Sequence, residues 1–231
     1  YFFRKFLRKL TRISNTLLNR IVEPFFLLSF IQKPFPKNPL VQSVIASKKE
    51  YLEIFSKSIK KQNSRVSTFE ENNGFKINES WFEELCLITQ TCIKKSDLNY
   101  NHGRILYSLL SKYIADNINN ISNLNIIETG TARGFSSLCM SKAINDQRIN
   151  GKIVTIDCIS HNEKLFWNCI SDHEGKKTRQ ELLSNWNMEL SNIIFIQGWT
   201  VETLNRIGIE RVHFAFLDAL HEKKSVLQEF K

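Results

Sequence analysis

Residues 126–137 read Ile-Ile-Glu-Thr-Gly-Thr-Ala-Arg-Gly-Phe-Ser-Ser. An apolar run ends in an acid, Glu128, passes through Gly130 and Gly134, and then enters a helical pattern. About one strand and one helix later, a second apolar run over 152–156 ends in another acid, Asp157. Two parallel strands finishing this way suit a nucleotide-like ligand laid across their carboxyl ends. The glycines admit close approach of the backbone, and a carboxylate at the next strand end can accept both ribose hydroxyl protons.

The glycine spacing narrows the ligand. A pyrophosphate held at a helix N-terminus calls for G-x-G-x-x-G, whereas this loop is E-x-G-x-x-x-G with an acid beside it. An acid suits a cationic group such as an α-amino group or a sulfonium, and the spacing speaks against a nicotinamide cofactor. On Glu128, Gly130 and Gly134, followed by Asp157, the chain resembles the class I S-adenosylmethionine-dependent methyltransferases. The resemblance covers about residues 98–231. It implies that Glu128 and the loop Gly130, Thr131, Ala132 and Gly134 hold the amino-acid part of S-adenosylmethionine. It further implies that Ser136 and Ser137 offer donors to the cofactor carboxylate, that Asp157 holds the ribose diol, and that Gly198 and Trp199 border the adenine.

Working outward, apolar and polar stretches alternate as strand and helix. Strands are expected over 125–128, 152–157, 193–197 and 212–217, with helices near 136–145, 178–190, 201–207 and from 222. This alternation predicts an α/β fold, a Rossmann-like doubly wound parallel sheet, apparently truncated after strand four, with an N-terminal helical extension. Upstream, helices are expected over 41–60, from a capping box at Ser80 to about 95, and over 102–117, with 62–79 as a polar linker. Asn101, His102 and Gly103 are placed to close over the ligand. The expected organisation is a basic helical extension over 1–70, a linker and helix over 71–97, and the cofactor-binding domain over 98–231. The excursion 158–191 reads as a lid or acceptor-binding insertion. Its clusters His161/Glu163 and Asp172/His173/Glu174 match no standard metal spacing.

Charge divides unevenly. Residues 1–70 hold 14 Lys/Arg against 4 Asp/Glu, a net of +10, while 71–231 hold 18 against 19, a net of −1. A near-neutral catalytic part argues against nucleic acid as substrate. Residues 1–22 form a basic amphipathic pattern. It suits docking on this domain or on a partner subunit, as in a homo-oligomer; a membrane surface; or a targeting peptide. The five cysteines (Cys86, Cys92, Cys139, Cys158, Cys169) are odd in number and form no C-x-x-C pair. They read as free thiols of a cytoplasmic protein, with peripheral membrane contact left open.

The fourth strand ends Phe-Leu-Asp218-Ala-Leu-His221. This D-x-x-H pattern resembles the strand-four motif of small-molecule and sugar O-methyltransferases. It implies that Asp218 orients the acceptor or binds Mg²⁺, and that His221 is the general base, a role suited to a pKa near neutrality. The expected activity is O-methylation of a small polar acceptor such as a sugar or lipid-linked glycan. A non-catalytic binding protein on a methyltransferase-like scaffold and a hydroxylase-like enzyme are the alternatives.

Overall fold

A computed structural model describes residues 38, 40–61, 64–219 and 223–230. Four strands, β1 (Leu124–Thr129), β2 (Gly151–Asp157), β3 (Ile193–Gln197) and β4 (Phe214–Leu217), form one parallel sheet in the order β3-β2-β1-β4. Ile126 pairs with Ile153 on one side and Phe214 on the other, and Ile153 pairs in turn with Ile193. The expected doubly wound Rossmann-like sheet is therefore present. The apolar runs read from the sequence are its strands, displaced by no more than two residues at an end.

Helices cover both faces. On one lie α4 (Asn101–Asn117) and α5 (Phe135–Asp146), whose Leu106, Leu110, Ile114, Leu138, Met140 and Ile144 join Leu124, Ile126 and Ile153 in a single core. Successive strand residues point to opposite faces. Glu128 points toward α5, so Thr129 points away from it. There the Thr129 hydroxyl donates to Glu229 of the last helix, α9 (Lys223–Glu229), at 2.9 Å. Thr200, opening α8 (Thr200–Leu204), donates to the same carboxylate.

Upstream of the sheet, three expectations are corrected. The helix read over 41–60 is α1, Lys48–Ile59. It begins late because Ser47 and Glu50 form a capping box, while Val41 bridges to Phe166 and Asn38 holds both carbonyls at 2.6 Å. The segment 62–79, read as a linker, contains α2 (Ser64–Asn73). Its buried Val66 and Glu70 share a face, and Glu70 accepts from Arg104 Nε of α4 at 2.9 Å. The next helix, α3 (Glu79–Leu85), is capped by Asn78 rather than Ser80 and runs on as a π-helical turn to Gln90.

The boundaries expected at 70 and 97 do not separate domains. Contacts group Lys37–Lys231 as one unit, and Ile77, Phe82, Leu85 and Cys86 belong to the same core as the sheet. The basic amphipathic stretch 1–22 lies outside the described residues. Among the described residues, no helix is long and apolar enough to cross a membrane.

The Glu70–Arg104 pair ties α2 to α4 with Glu70 only 1% exposed. Removing one partner leaves the other charge buried. Glu70→Ala is expected to lower unfolding free energy by about 3 kcal/mol in urea melts. A loss within error would show that α2 is not anchored by this pair.

Candidate functional site

The ladder continues past the strand ends and gathers the singled-out residues at one edge. Gly130 N–H donates to the Ile156 carbonyl at 2.9 Å, Asp218 N–H to the Thr129 carbonyl at 3.0 Å, and Gly198 N–H to the Asp157 carbonyl at 2.8 Å. Gly130 has φ +86°, and a Cβ there would lie 2.4 Å from the Asp218 carbonyl oxygen. Glycine is required on both counts. Gly134, at φ +88°, is the N-cap of α5; its N–H closes the loop onto the Thr131 carbonyl at 2.7 Å. Glu128, Asp157 and Asp218 are thus strand-end neighbours on one sheet edge.

Glu128 turns inward, toward the first turn of α5. It is 0% exposed, and its carboxylate accepts the hydroxyls of Ser136, Ser137 and, at 2.6 Å, Thr155. Thr155 has one hydroxyl proton and gives it to Glu128, so the 2.6 Å contact between Thr131 and Thr155 runs from Thr131. Burial raises the Glu128 pKa against the pull of these three donors. Ser136 and Ser137 correspondingly spend their hydroxyl protons on Glu128. What they offer a ligand is the backbone N–H of a first helical turn.

Asp157 is the acid at the working edge. It is 6% exposed; its Oδ2 accepts from Ala132 N–H at 2.6 Å and its Oδ1 from Ile159 N–H at 2.7 Å. A carboxylate has about four lone-pair sites, so acceptor capacity remains. The adjacent Cys158 thiol is pushed up to about 12, by burial first and then by the Asp157 charge. It is a spectator rather than a nucleophile.

Around this edge the other expectations divide. Gly198 is glycine because a Cβ would meet Thr203 Oγ1 at 2.3 Å, which is a packing reason. Trp199, N-cap of α8, is 47% exposed and offers a ring next to the β3 end. His221 lies outside the described residues. His102, at the start of α4, stands edge-on to Phe135 at 4.8 Å; burial lowers its pKa while the Asp218 charge opposes the shift. A cavity of about 200 Å³ lined by Ile77, Phe82, Tyr100 and Arg104 backs onto the same aromatic group, since Phe82 packs on Phe135 at 5.7 Å.

The excursion 158–191 is a packed wall and not a lid. Trp167 and Leu183 are fully buried, and Arg133 of the glycine loop donates to the Trp167 and Asn168 carbonyls. The Asp172 carboxylate accepts from the Trp167 and Cys169 amides, and His173 Nε2 contacts the Ala46 carbonyl at 2.9 Å. His161 stacks on Phe195 at 4.4 Å. Among the described residues, no three His, Cys, Asp or Glu side chains gather to hold a metal ion.

Residues 127–231 match a family model described as a methyltransferase domain. No curated protein matches the chain. Among solved structures, the SAH-bound Podospora anserina methyltransferase PaMTH1 is similar at 17% identity and TM-score 0.41, over 82% of this chain and 68% of that one. Cofactor-bound Rv0187 from MTB is similar at 15% identity and TM-score 0.40, over 62% of this chain and 54% of its own length. This chain thus spans about half of the latter.

Two outcomes are expected. Gly130→Ala should cost well over about 1 kcal/mol, because the backbone angle is wrong and the Asp218 carbonyl cannot move aside. Gly175→Ala, at φ +99° with nothing within 4 Å of its Cβ, should cost less; equal losses in chemical denaturation would contradict the steric argument. The raised Glu128 pKa predicts a pH effect. The folded chain keeps this proton where the unfolded chain, with a pKa near the ordinary 4.5, has released it. Its contribution is complete below that value and is lost as pH rises through the folded pKa. Wild type should lose stability relative to Glu128→Gln as pH rises above about 4.5; a constant difference would refute it.

Proposed function

We propose that this chain, whose residues 127–231 match a methyltransferase-domain family model, is an S-adenosylmethionine-dependent methyltransferase. The proposed acceptor is a hydroxyl of a small polar molecule such as a sugar or lipid-linked glycan. The observation that carries the reading is the 2.6 Å bond from Ala132 N–H to Asp157. It joins the glycine loop of one parallel strand to the carboxylate of the next at the edge where class I enzymes bind their nucleoside.

The residues fit the cofactor. Asp157 keeps lone pairs for the ribose hydroxyls, and the first-turn N–H groups of α5 suit a carboxylate. Gly130 and Thr131 bring main chain close, and Trp199 offers a ring for the base. When bound, S-adenosylmethionine supplies a methyl group on a sulfonium. The protein's task is to hold the acceptor oxygen in line, remove its proton and exclude water. In this reading Asp218, fixed by its N–H to Thr129, orients the acceptor. His221, three residues on, takes the hydroxyl proton on its imidazole nitrogen. The wall made by Trp167, Leu183 and Trp186 shields the loop side from water.

Titration calorimetry with S-adenosylhomocysteine tests the cofactor assignment. Wild type should bind, and Asp157→Ala should bind at least about tenfold more weakly, since hydrogen bonds to a charged group are worth about 1.5–3 kcal/mol each. Equal affinities would remove the assignment.

A further inference from the structure

Arg179 is a buried cation outside every sequence motif named above. It occupies the first position of α6 (Arg179–Leu182), a single turn opened by a Thr178/Glu181 capping box, and it is 2% exposed. A guanidinium taken out of water needs several partners. Its Nε donates to the Ala132 carbonyl at 3.0 Å and its Nη2 to the Ile159 carbonyl at 3.4 Å. The rings of Trp167 and Phe195 flank it, each 5.5 Å away.

Ala132 and Ile159 are the two residues whose N–H groups bind Asp157. Each of these residues is therefore held twice, by its N–H to the carboxylate and by its C=O to the guanidinium. One belongs to the glycine loop and the other to the exit from β2. Ala132 also has φ 45°, a conformation that a residue with a side chain adopts rarely and that needs external support. A planar guanidinium can serve two carbonyls at once, whereas an ammonium offers no fixed fork.

We propose that Arg179 is the positioning residue of the nucleoside site, locking the Ala132 and Ile159 peptides so that Asp157 presents its carboxylate in one orientation. The identity of the ligand rests on the methyltransferase reading, and the clamp rests on the geometry alone.

The test uses the full chain with Arg179→Lys and Arg179→Met, followed by amide hydrogen exchange without ligand and by calorimetry with S-adenosylhomocysteine. Both variants should melt cooperatively. Exchange should accelerate in 130–134 and 158–160 while α4 is unchanged. S-adenosylhomocysteine should bind about tenfold or more weakly, the scale on which misplaced binding groups are felt, with lysine recovering part of the loss. Folded variants with wild-type affinity overturn the proposal. So does loss of the cooperative fold in both, which would make Arg179 a packing residue. A wild type that does not bind S-adenosylhomocysteine sinks the functional reading instead. The exchange measurement then still decides the clamp, with unchanged exchange in 130–134 and 158–160 overturning it.

Discussion

The absence of a side chain at Gly130 governs the working end of this molecule. β1 lies between β2 and β4, and its first residue beyond the strand must bond to Ile156 on one side while lying against the Asp218 carbonyl on the other. Any Cβ would push β4 away at the point where the two strands separate. Because nothing intrudes, the ends of three neighbouring strands stay in register for one residue more. Asp157, the glycine loop and Asp218 therefore share an edge.

Beneath that edge is a polar layer that is buried and paired. Glu128 collects three hydroxyls from β2 and α5, and Glu229 collects two from the β1 end and α8 on the opposite face. Buried polar groups are tolerable when their partners are supplied, and then they specify one arrangement. Here the arrangement is the entry angle of α5. Gly134 sets the turn, and Glu128 holds the first helical turn against β1. Glu128 thus acts one layer below the strand ends, fixing the main chain of that turn.

The excursion between β2 and β3 extends the same logic sideways. Arg133 and Arg179 cross in opposite directions between it and the glycine loop. Each is buried and ends on carbonyl oxygens. The loop is consequently braced from below by Glu128, from β2 by Asp157 and from the side by Arg179.

Much of this was legible from residue order alone. Apolar runs ending in Glu128, Asp157 and Asp218, with helical patterns between them, were enough for a parallel sheet, because strand ends announce themselves by an abrupt change from apolar residues to acids and glycines. The segment 64–73 was not legible as a helix. It is polar, and what stabilises it is Arg104, 34 residues away. Nor was the direction of Glu128. Alternation along β1 shows that it opposes Thr129, but not that Ser136, Ser137 and Thr155 would converge on it. Local pattern sets which residues lie at strand ends, since that depends on neighbours in the chain. Whether an acid there meets a ligand, a hydroxyl or a guanidinium depends on elements brought together from tens of residues apart, and only the packed tertiary structure decides that.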